Sequence, residues 1–216
     1  MGVLSHARDT YEEMYWKYGY DRYFDSFEHY YSLYQRRNLD LWAEYADGKV
    51  TKEELNRQRY LYPLEAVGAG DSTLAKAYER DALTMIPTKS KLMPHAREVL
   101  EYLSGKYNLY ILSNGFKELQ SHKMRSSGID EYFKKVVLSD DIGILKPWPE
   151  IFHFALSTTQ SELNNSLMIG DSWENDIVGA AGVGMHQVFY NLSGRTDLPF
   201  APTYQITDLK DLFNFL

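Results

Sequence analysis

A hydroxyl group followed by backbone amides stands directly after an apolar stretch of the sequence. Leu109–Leu112 is followed by Ser113, Asn114 and Gly115, which lead into a stretch with helical spacing. Backbone N–H groups at the start of a helix, together with the positive end of the helix dipole, can hold a phosphate group. The same residue types also suit an ordinary turn, so this motif alone leaves both interpretations open.

Two carboxylates follow a second apolar stretch, Leu167–Ile169. Asp171 comes one glycine after it, and Asp176 follows five residues later, in the predicted first turn of a helix. Such a pair suits Mg²⁺, which takes one or two carboxylates and completes its shell with water and substrate phosphate. A helix cap and an acidic first turn stabilised by the helix dipole explain the same residues without a ligand.

A lysine stands at the start of another predicted helix, between the first two sites along the chain. Lys146 is followed by Pro147 and Pro149, which stiffen the segment. A cation held in this way can neutralise a phosphoryl group or a developing negative charge, although a single lysine is more often a solvated surface residue. Ligands of open α/β sheets bind beyond the carboxyl ends of the strands. We therefore predict that the hydroxyl, the ammonium and the two acids form one site for phosphate and metal.

The elements that must position these residues alternate between short apolar runs and helical stretches from about Pro87 onward. Strands are predicted at Leu109–Leu112, Val136–Leu138, Leu167–Ile169, Val188–Tyr190 and Tyr204–Ile206. Helices are predicted at about 94–105, 117–126, 149–158 and 174–182, with a last one from Asp208. Near-continuous apolar strands indicate a parallel sheet covered on both faces. This pattern predicts an α/β class, with a Rossmann-like core and helices on both faces of its sheet.

The first part of the chain, from about Arg8 to Arg80, has a helical and aromatic pattern without strand-like alternation. Two sets of residues recur at helical spacing and should each line one face: Tyr11, Met14, Tyr15 and Tyr18, then Phe27, Tyr30, Tyr31 and Tyr34. Thr51 and Glu54 form a predicted capping box at a helix start. We divide the chain into an all-helical domain, residues 1–86, and the α/β core, residues 87–216.

The composition limits the classes of function. The 216 residues are 44% hydrophobic and 25% charged, as in ordinary globular proteins. A net charge of −7 argues against a duplex-binding surface, which needs clustered Lys and Arg. The absence of cysteine excludes disulfides and thiolate chemistry, and no apolar run approaches the ~18–20 residues of a membrane span. We predict a soluble, cytoplasmic monomer or homodimer that binds neither nucleic acid polymers nor membranes.

Taken together, three of these motifs resemble a known family. Ser113-Asn114, Lys146-Pro147 and Gly170-Asp171-Ser172 with Asn175-Asp176 resemble, in order and separation, the second to fourth motifs of the haloacid dehalogenase-like (HAD) hydrolases. The helical stretch resembles their inserted helical cap, which closes over the site. A further set within it is similar to pyrimidine nucleotide 5′-phosphatases: Leu41-Trp42, Tyr45, Gly48-Lys49-Val50-Thr51, Glu54-Leu55, Arg57 and Arg59.

The resemblance implies a role for each candidate residue. Ser113 and the amides of residues 114–115 would hold phosphoryl oxygens, and Lys146 would neutralise charge on the nucleophile and the phosphoryl group. Asp171 would ligate Mg²⁺. Asp176 would belong to the same metal site and would position Lys146 or a metal-bound water. The implied substrate is a small phosphorylated molecule such as a nucleotide.

The first motif of the family, Asp-x-Asp-x-Thr/Val after an apolar strand ahead of the cap, is not found in this sequence. Asp9 is the sole Asp before the cap and begins a helical period instead. By resemblance, the absent motif supplies a nucleophile that forms an aspartyl-phosphate, and its strand lies between those ending at Ser113 and Asp171. We expect the chain without it to be inactive. We interpret the sequence as lacking about 15–20 residues, a strand and its loop; a true short form is the alternative.

The resulting hypothesis is a Mg²⁺-dependent phosphatase that hydrolyses a small phosphate monoester, a nucleoside monophosphate above all. Two alternatives stay open. One is displacement of halide from a 2-haloacid, which in this superfamily also uses an Asp nucleophile but needs no metal. The other is a non-catalytic module that retains a phosphate or nucleotide pocket.

Overall fold

The computed structural model describes residues 4–88 and 92–216, which fall into two units. Residues 4–88 form a helical unit, and residues 92–216 form an α/β unit. The helical unit contains α1 (Leu4–Lys17), α2 (Phe27–Ala46), α3 (Lys52–Ala66) and α4 (Ser72–Met85). No helix in the described residues combines the length and apolar character that a membrane crossing requires.

Polar side chains start three of these helices. Ser26 accepts the backbone N–H of His29 at the start of α2, and Asp71 accepts two backbone N–H groups at the start of α4. The predicted capping box of α3 is confirmed. Thr51 Oγ1 accepts the Glu54 N–H at 3.1 Å, and Glu54 Oε2 accepts the Thr51 N–H at 2.9 Å. Each of these three helices therefore begins where a side chain accepts hydrogen bonds from its first backbone N–H groups.

The core of the helical unit is built largely from tyrosine rings. Both predicted faces point inward. Tyr18 is half-buried, and the other residues of the two faces are buried: Tyr11, Met14, Tyr15, Phe27, Tyr30, Tyr31 and Tyr34. Tyr20 stacks on Tyr78 with ring centroids 4.9 Å apart. The Tyr11 and Tyr34 hydroxyls lie 2.5 Å apart. Burial is the main cause that raises the pKa of Tyr11 well above its ordinary value, because a phenolate would be desolvated there.

The α/β unit contains five strands, and all five predicted strands are confirmed. They are β1 (Leu109–Ser113), β2 (Phe133–Leu138), β3 (Leu167–Gly170), β4 (His186–Tyr190) and β5 (Tyr204–Ile206). Every pairing is parallel, as predicted. The strands form two sheets, β1-β2 and β3-β4-β5. Within residues 92–216, β1 and β3 thus each pair along one edge only.

The helices of this unit cover both faces of the strands. They are α5 (Ala96–Ser104), α6 (Lys117–Ser127), α7 (Pro149–Thr159) and α8 (Gly179–Gly182). Val188 and Tyr190 of β4 pack with Val99 of α5, whereas Phe189, on the opposite face, packs with Trp173. This arrangement matches the α/β class that the apolar strands indicate.

One predicted helix differs in kind from the prediction. The stretch expected as a helix over 174–182 begins as a π-helical turn, Trp173–Val178, before the short α8. The Ser172 carbonyl accepts the N–H groups of both Asp176, at 2.9 Å, and Ile177, at 3.3 Å. Asp176 also folds back onto the Ser172 N–H, so the wide turn is combined with a side-chain contact that sequence spacing does not predict. The last predicted helix is a 3₁₀ helix, Leu209–Asn214.

Candidate active site

Ser113 is the last residue of β1, and its hydroxyl is held by two donors. Its Oγ accepts the backbone N–H of Gly115 at 3.0 Å and the side-chain amide of Gln120, on α6, at 2.7 Å. Ser113 is half-buried and therefore partly open to solvent. The Gly115 amide, expected to hold a phosphoryl oxygen, thus donates to Ser113 in this structure. Its role towards phosphate stays a prediction.

Asn114 fixes the segment that carries the lysine. Its Nδ2 donates to the Lys146 carbonyl at 2.9 Å, and its Oδ1 accepts the Lys146 N–H at 2.8 Å. The Ser139 hydroxyl donates to the Asn114 carbonyl at 3.3 Å. The sequence pointed to the backbone amide of Asn114 and missed this use of its side chain. Asparagine can bind the N–H and the carbonyl of one residue in this way because its side-chain amide carries both a donor and an acceptor.

Lys146 and Asp176 form a buried ion pair. Lys146 is 8% exposed and Asp176 is 5% exposed. Lys146 Nζ donates to Asp176 Oδ1 at 2.6 Å and to the Leu112 carbonyl at 2.9 Å. An ammonium group has three N–H donors, so one remains for another acceptor. The lysine therefore joins β1 to the turn after β3. These two contacts use two of its three N–H groups.

The two acids after β3 have different surroundings. Both oxygens of Asp176 are engaged, Oδ1 by Lys146 and Oδ2 by the Ser172 N–H at 3.1 Å. Gly170 makes this possible, because a Cβ at Gly170 would lie 2.2 Å from Asp176 Oδ2. Asp171 is half-buried at the carboxyl end of β3. The observed contacts of Asp176 suit a group that positions Lys146.

The oxygen donors at this strand end fit Mg²⁺. Within residues 4–88 and 92–216, no three His, Asp or Glu side chains gather into a metal cluster. Mg²⁺ does not need one, because it keeps several waters and binds through one or two carboxylates together with substrate phosphate. Asp171 offers one such carboxylate at the edge of the sheet. The roles of Asp171 and Asp176 as metal ligands stay predictions.

Hydrogen bonds bring most of the predicted site residues together. They run from the end of β1 through Lys146 to Asp176 and on to the backbone directly after Asp171. The arrangement places a hydroxyl, an ammonium and a carboxylate at the carboxyl ends of β1 and β3. Sequence reasoning missed the contacts of Gln120 and the need for Gly170. No residue spacing in the sequence signals the contacts of Gln120, because it follows Gly115 by five residues and helix neighbours are three or four residues apart.

Of the charged residues that the finer resemblance singled out in the helical unit, Arg59 is the buried one. Arg59 of α3 is 7% exposed, and its guanidinium lies 5.1 Å from the centre of the Tyr60 ring. It also donates to the Asn56 side chain. A buried cation on an aromatic face is stabilised by the ring quadrupole. Arg59 thus has a packing role within this unit, and its predicted link to nucleotides stays a prediction.

Comparison with known proteins agrees with this arrangement of motifs. Pyrimidine 5′-nucleotidase YjjG of Escherichia coli is 30% identical over 185 residues, which cover 85% of this chain and 80% of that protein. The crystal structure of HAD-hydrolase YfnB of Bacillus subtilis, bound to magnesium, superposes with a TM-score of 0.88 and 24% identity, and covers 100% of this chain and 93% of that one. It shares the fold.

A dehalogenase of known structure is also similar. It has a TM-score of 0.74 and 26% identity, over 92% of this chain and 88% of that one. The sequence pattern of the haloacid dehalogenase-like hydrolases matches residues 5–184, and so spans both units. The chain belongs to the haloacid dehalogenase-like hydrolase family.

Proposed function

We propose that this chain carries the phosphate site of a magnesium-dependent phosphatase that acts on a small phosphate monoester, above all a nucleoside monophosphate. One observation carries the proposal: Lys146 is buried and bonded to Asp176 and to the carbonyl of Leu112, the residue before Ser113, and these two bonds use two of its three N–H donors. A fixed cation next to a hydroxyl donor is complementary to a phosphoryl group. The pyrimidine 5′-nucleotidase among its relatives supports the nucleotide as substrate.

Each residue of the site has a distinct proposed task. The Ser113 hydroxyl and the backbone amide of Asn114 bind phosphoryl oxygens, and Lys146 neutralises their charge through its third N–H group. Asp176 holds Lys146 in place. Asp171 would hold Mg²⁺, which when bound supplies positive charge that stabilises the phosphoryl group. The helical unit, predicted as residues 1–86, serves as the cap that determines substrate preference.

The nucleophile is the part of the reaction that these residues do not supply. No two Asp residues stand two positions apart anywhere in the sequence, so the family's Asp-x-Asp pair is not found. Without a nucleophilic carboxylate, no covalent phosphoryl step can occur. We propose that the 216-residue chain binds a phosphate monoester without hydrolysing it.

A fusion tests the proposal directly. An apolar strand ending in Asp-x-Asp-x-Thr is joined ahead of residue 1, and uridine monophosphate is supplied with Mg²⁺. We expect phosphate release from this fusion and none from the unfused chain or from a matched fusion ending in Asn-x-Asn-x-Thr. Asp171→Asn within the active fusion should abolish phosphate release at every Mg²⁺ concentration, because the proposed metal ligand is lost.

Two results would contradict the proposal. One is phosphate release from the unfused chain at the rate of the fusion. The other is a folded fusion that releases no phosphate from a panel of nucleotides and sugar phosphates. A circular dichroism spectrum and a single thermal transition establish that the fusion is folded.

Halide displacement from a 2-haloacid is a second candidate, favoured by the similar dehalogenase structure. The two reactions differ in their need for metal. The same fusion, given a 2-chloroacid, should release no chloride if the phosphatase proposal is right. Chloride release that persists in EDTA would instead establish the dehalogenase.

A further inference from the structure

The hydrogen bonds of Ser113 determine which way its hydroxyl proton must go. A serine hydroxyl has one O–H donor and two acceptor lone pairs. The Gly115 N–H at 3.0 Å and the Gln120 Nε2 at 2.7 Å occupy both lone pairs. The remaining capacity of the group is its own proton. Ser113 can therefore act towards a ligand only as a donor.

Gln120 reaches Ser113 because the intervening backbone is a glycine. Gln120 is the fourth residue of α6, and its side chain turns back towards the end of β1. A Cβ at Gly115 would lie 2.2 Å from Gln120 Nε2. Any side chain at Gly115 would thus push the amide away from Ser113. The three residues act as one unit, in which Gly115 leaves room, Gln120 donates and Ser113 accepts.

We propose that Gln120 is a positioning residue that fixes the Ser113 hydroxyl as a donor and so selects a ligand group that only accepts hydrogen bonds. A phosphoryl oxygen is such a group. This inference rests on the proposed function, since phosphate is its expected ligand. A ligand group that itself donates, such as an alcohol or an amide N–H, would meet no acceptor on Ser113.

The orientation of the Gln120 amide makes the proposal falsifiable. If its Oε1 faced Ser113, that oxygen would accept the serine proton. Ser113 would then present a lone pair to the ligand and would repel a phosphoryl oxygen. The two orientations differ in which Gln120 atom contacts Ser113, and this difference is visible by NMR without any ligand.

The first experiment uses the 216-residue chain with ¹⁵N-labelled glutamine. We expect one Gln120 side-chain amide proton to have the small temperature coefficient of a hydrogen-bonded proton, and to lose it in Ser113→Ala. Gln205, exposed on β5, provides a reference amide in the same spectrum. A Gln120 amide that is unaffected by Ser113→Ala would overturn the proposal.

The second experiment measures the binding of inorganic phosphate, with Mg²⁺ present, to variants of Gln120. Gln120→Met keeps the length without the donor and should weaken binding about three- to tenfold, the effect of one hydrogen bond. Gln120→Glu should weaken it further, because a carboxylate takes the Ser113 proton. Ser121→Glu adds the same charge on the exposed side of α6 and is the matched control.

The outcomes separate this inference from the proposed function. Equal phosphate affinities for Gln120→Glu and Ser121→Glu would overturn the positioning role. If the wild-type chain binds no phosphate while its Gln120 amide responds to Ser113→Ala, the proposed function fails and the donor role of the hydroxyl stands. The thermal midpoint of each variant establishes that its phosphate affinity is measured on the folded protein.

Discussion

The Asn114 side chain binds the peptide groups on both sides of the Lys146 α-carbon. It donates to the Lys146 carbonyl at 2.9 Å and accepts the Lys146 N–H at 2.8 Å. These two residues are 32 positions apart in the sequence. The contact ties the turn after β1 to the segment of the lysine, so that the backbone of Lys146 is held independently of its ion pair.

Removal of this clamp should destabilise the α/β unit. Asn114→Ala leaves the N–H and carbonyl of Lys146 without their partners, and we expect a loss of about 1–3 kcal/mol in the free energy of unfolding. Urea denaturation followed by tryptophan fluorescence measures it. Asn164→Ala, at an exposed position, is the control and should change stability by less than about 0.5 kcal/mol. Equal losses in the two variants would contradict the clamp.

The buried ion pair predicts strong coupling between its partners. Lys146→Met leaves the Asp176 carboxylate buried without its cation, which should cost about 3–5 kcal/mol. The double variant with Asp176→Leu should cost less than Lys146→Met alone, because no unpaired charge remains. Denaturation of the four proteins in a double-mutant cycle measures the coupling.

An exposed pair provides the matched control for this cycle. Lys210 Nζ lies 3.6 Å from Glu98 Oε2, and both side chains are about half exposed. Lys210→Met should cost less than about 1 kcal/mol, because solvent screens such pairs. A loss for Lys146→Met no larger than this would show that the buried pair does not determine stability.

Gly170 should not tolerate a side chain. In Gly170→Ala the new Cβ would lie 2.2 Å from Asp176 Oδ2, so Asp176 must move away from Lys146 and Ser172. We expect a loss of several kcal/mol in unfolding free energy, since a buried charged pair is broken. Gly182→Ala meets no atom within 4 Å and should be neutral or slightly stabilising. Thermal and urea unfolding of the two variants compare them directly.

The helical unit should show an acid-dependent loss of stability through Asp81. Hydrogen bonds from Lys17 Nζ, at 2.6 Å, and from Tyr18, at 2.8 Å, lower the pKa of Asp81 to about 2. Because the folded pKa is below the ordinary value of about 3.9, the stabilisation is present above pH ~4. It is lost as the pH falls towards 2.

Thermal midpoints between pH 6 and pH 2 test this dependence. The difference between the wild type and Asp81→Asn should be largest at pH 6 and should vanish near pH 2. Asp40→Asn makes the same change of charge at an exposed position in α2. Its difference in thermal midpoint from the wild type should stay the same between pH 6 and pH 2. A constant difference between the wild type and Asp81→Asn across this range would argue against the pKa shift.

Local patterns in the sequence predict the elements of this fold well. All five strands, the capping box at Thr51 and the buried faces of α1 and α2 agree with the structure. These features depend on apolar periodicity and on hydrogen bonds within one turn, which neighbouring residues determine. The π-helical turn at Trp173–Val178 was not predicted, because it involves the backfolding of one side chain onto Ser172.

The motif residues Ser113, Lys146 and Asp176 could be found from the sequence because their residue types stand in a characteristic order along the chain. The partners of these residues could not be found in this way. Gln120, Gly170 and the side-chain role of Asn114 depend on distances between segments that only folding brings together. Hydrogen-bond geometry is satisfied within a few tenths of an ångström, and sequence spacing does not carry that precision. The sequence thus determined the family and the residue types of the site, whereas tertiary structure decided which atoms face each other.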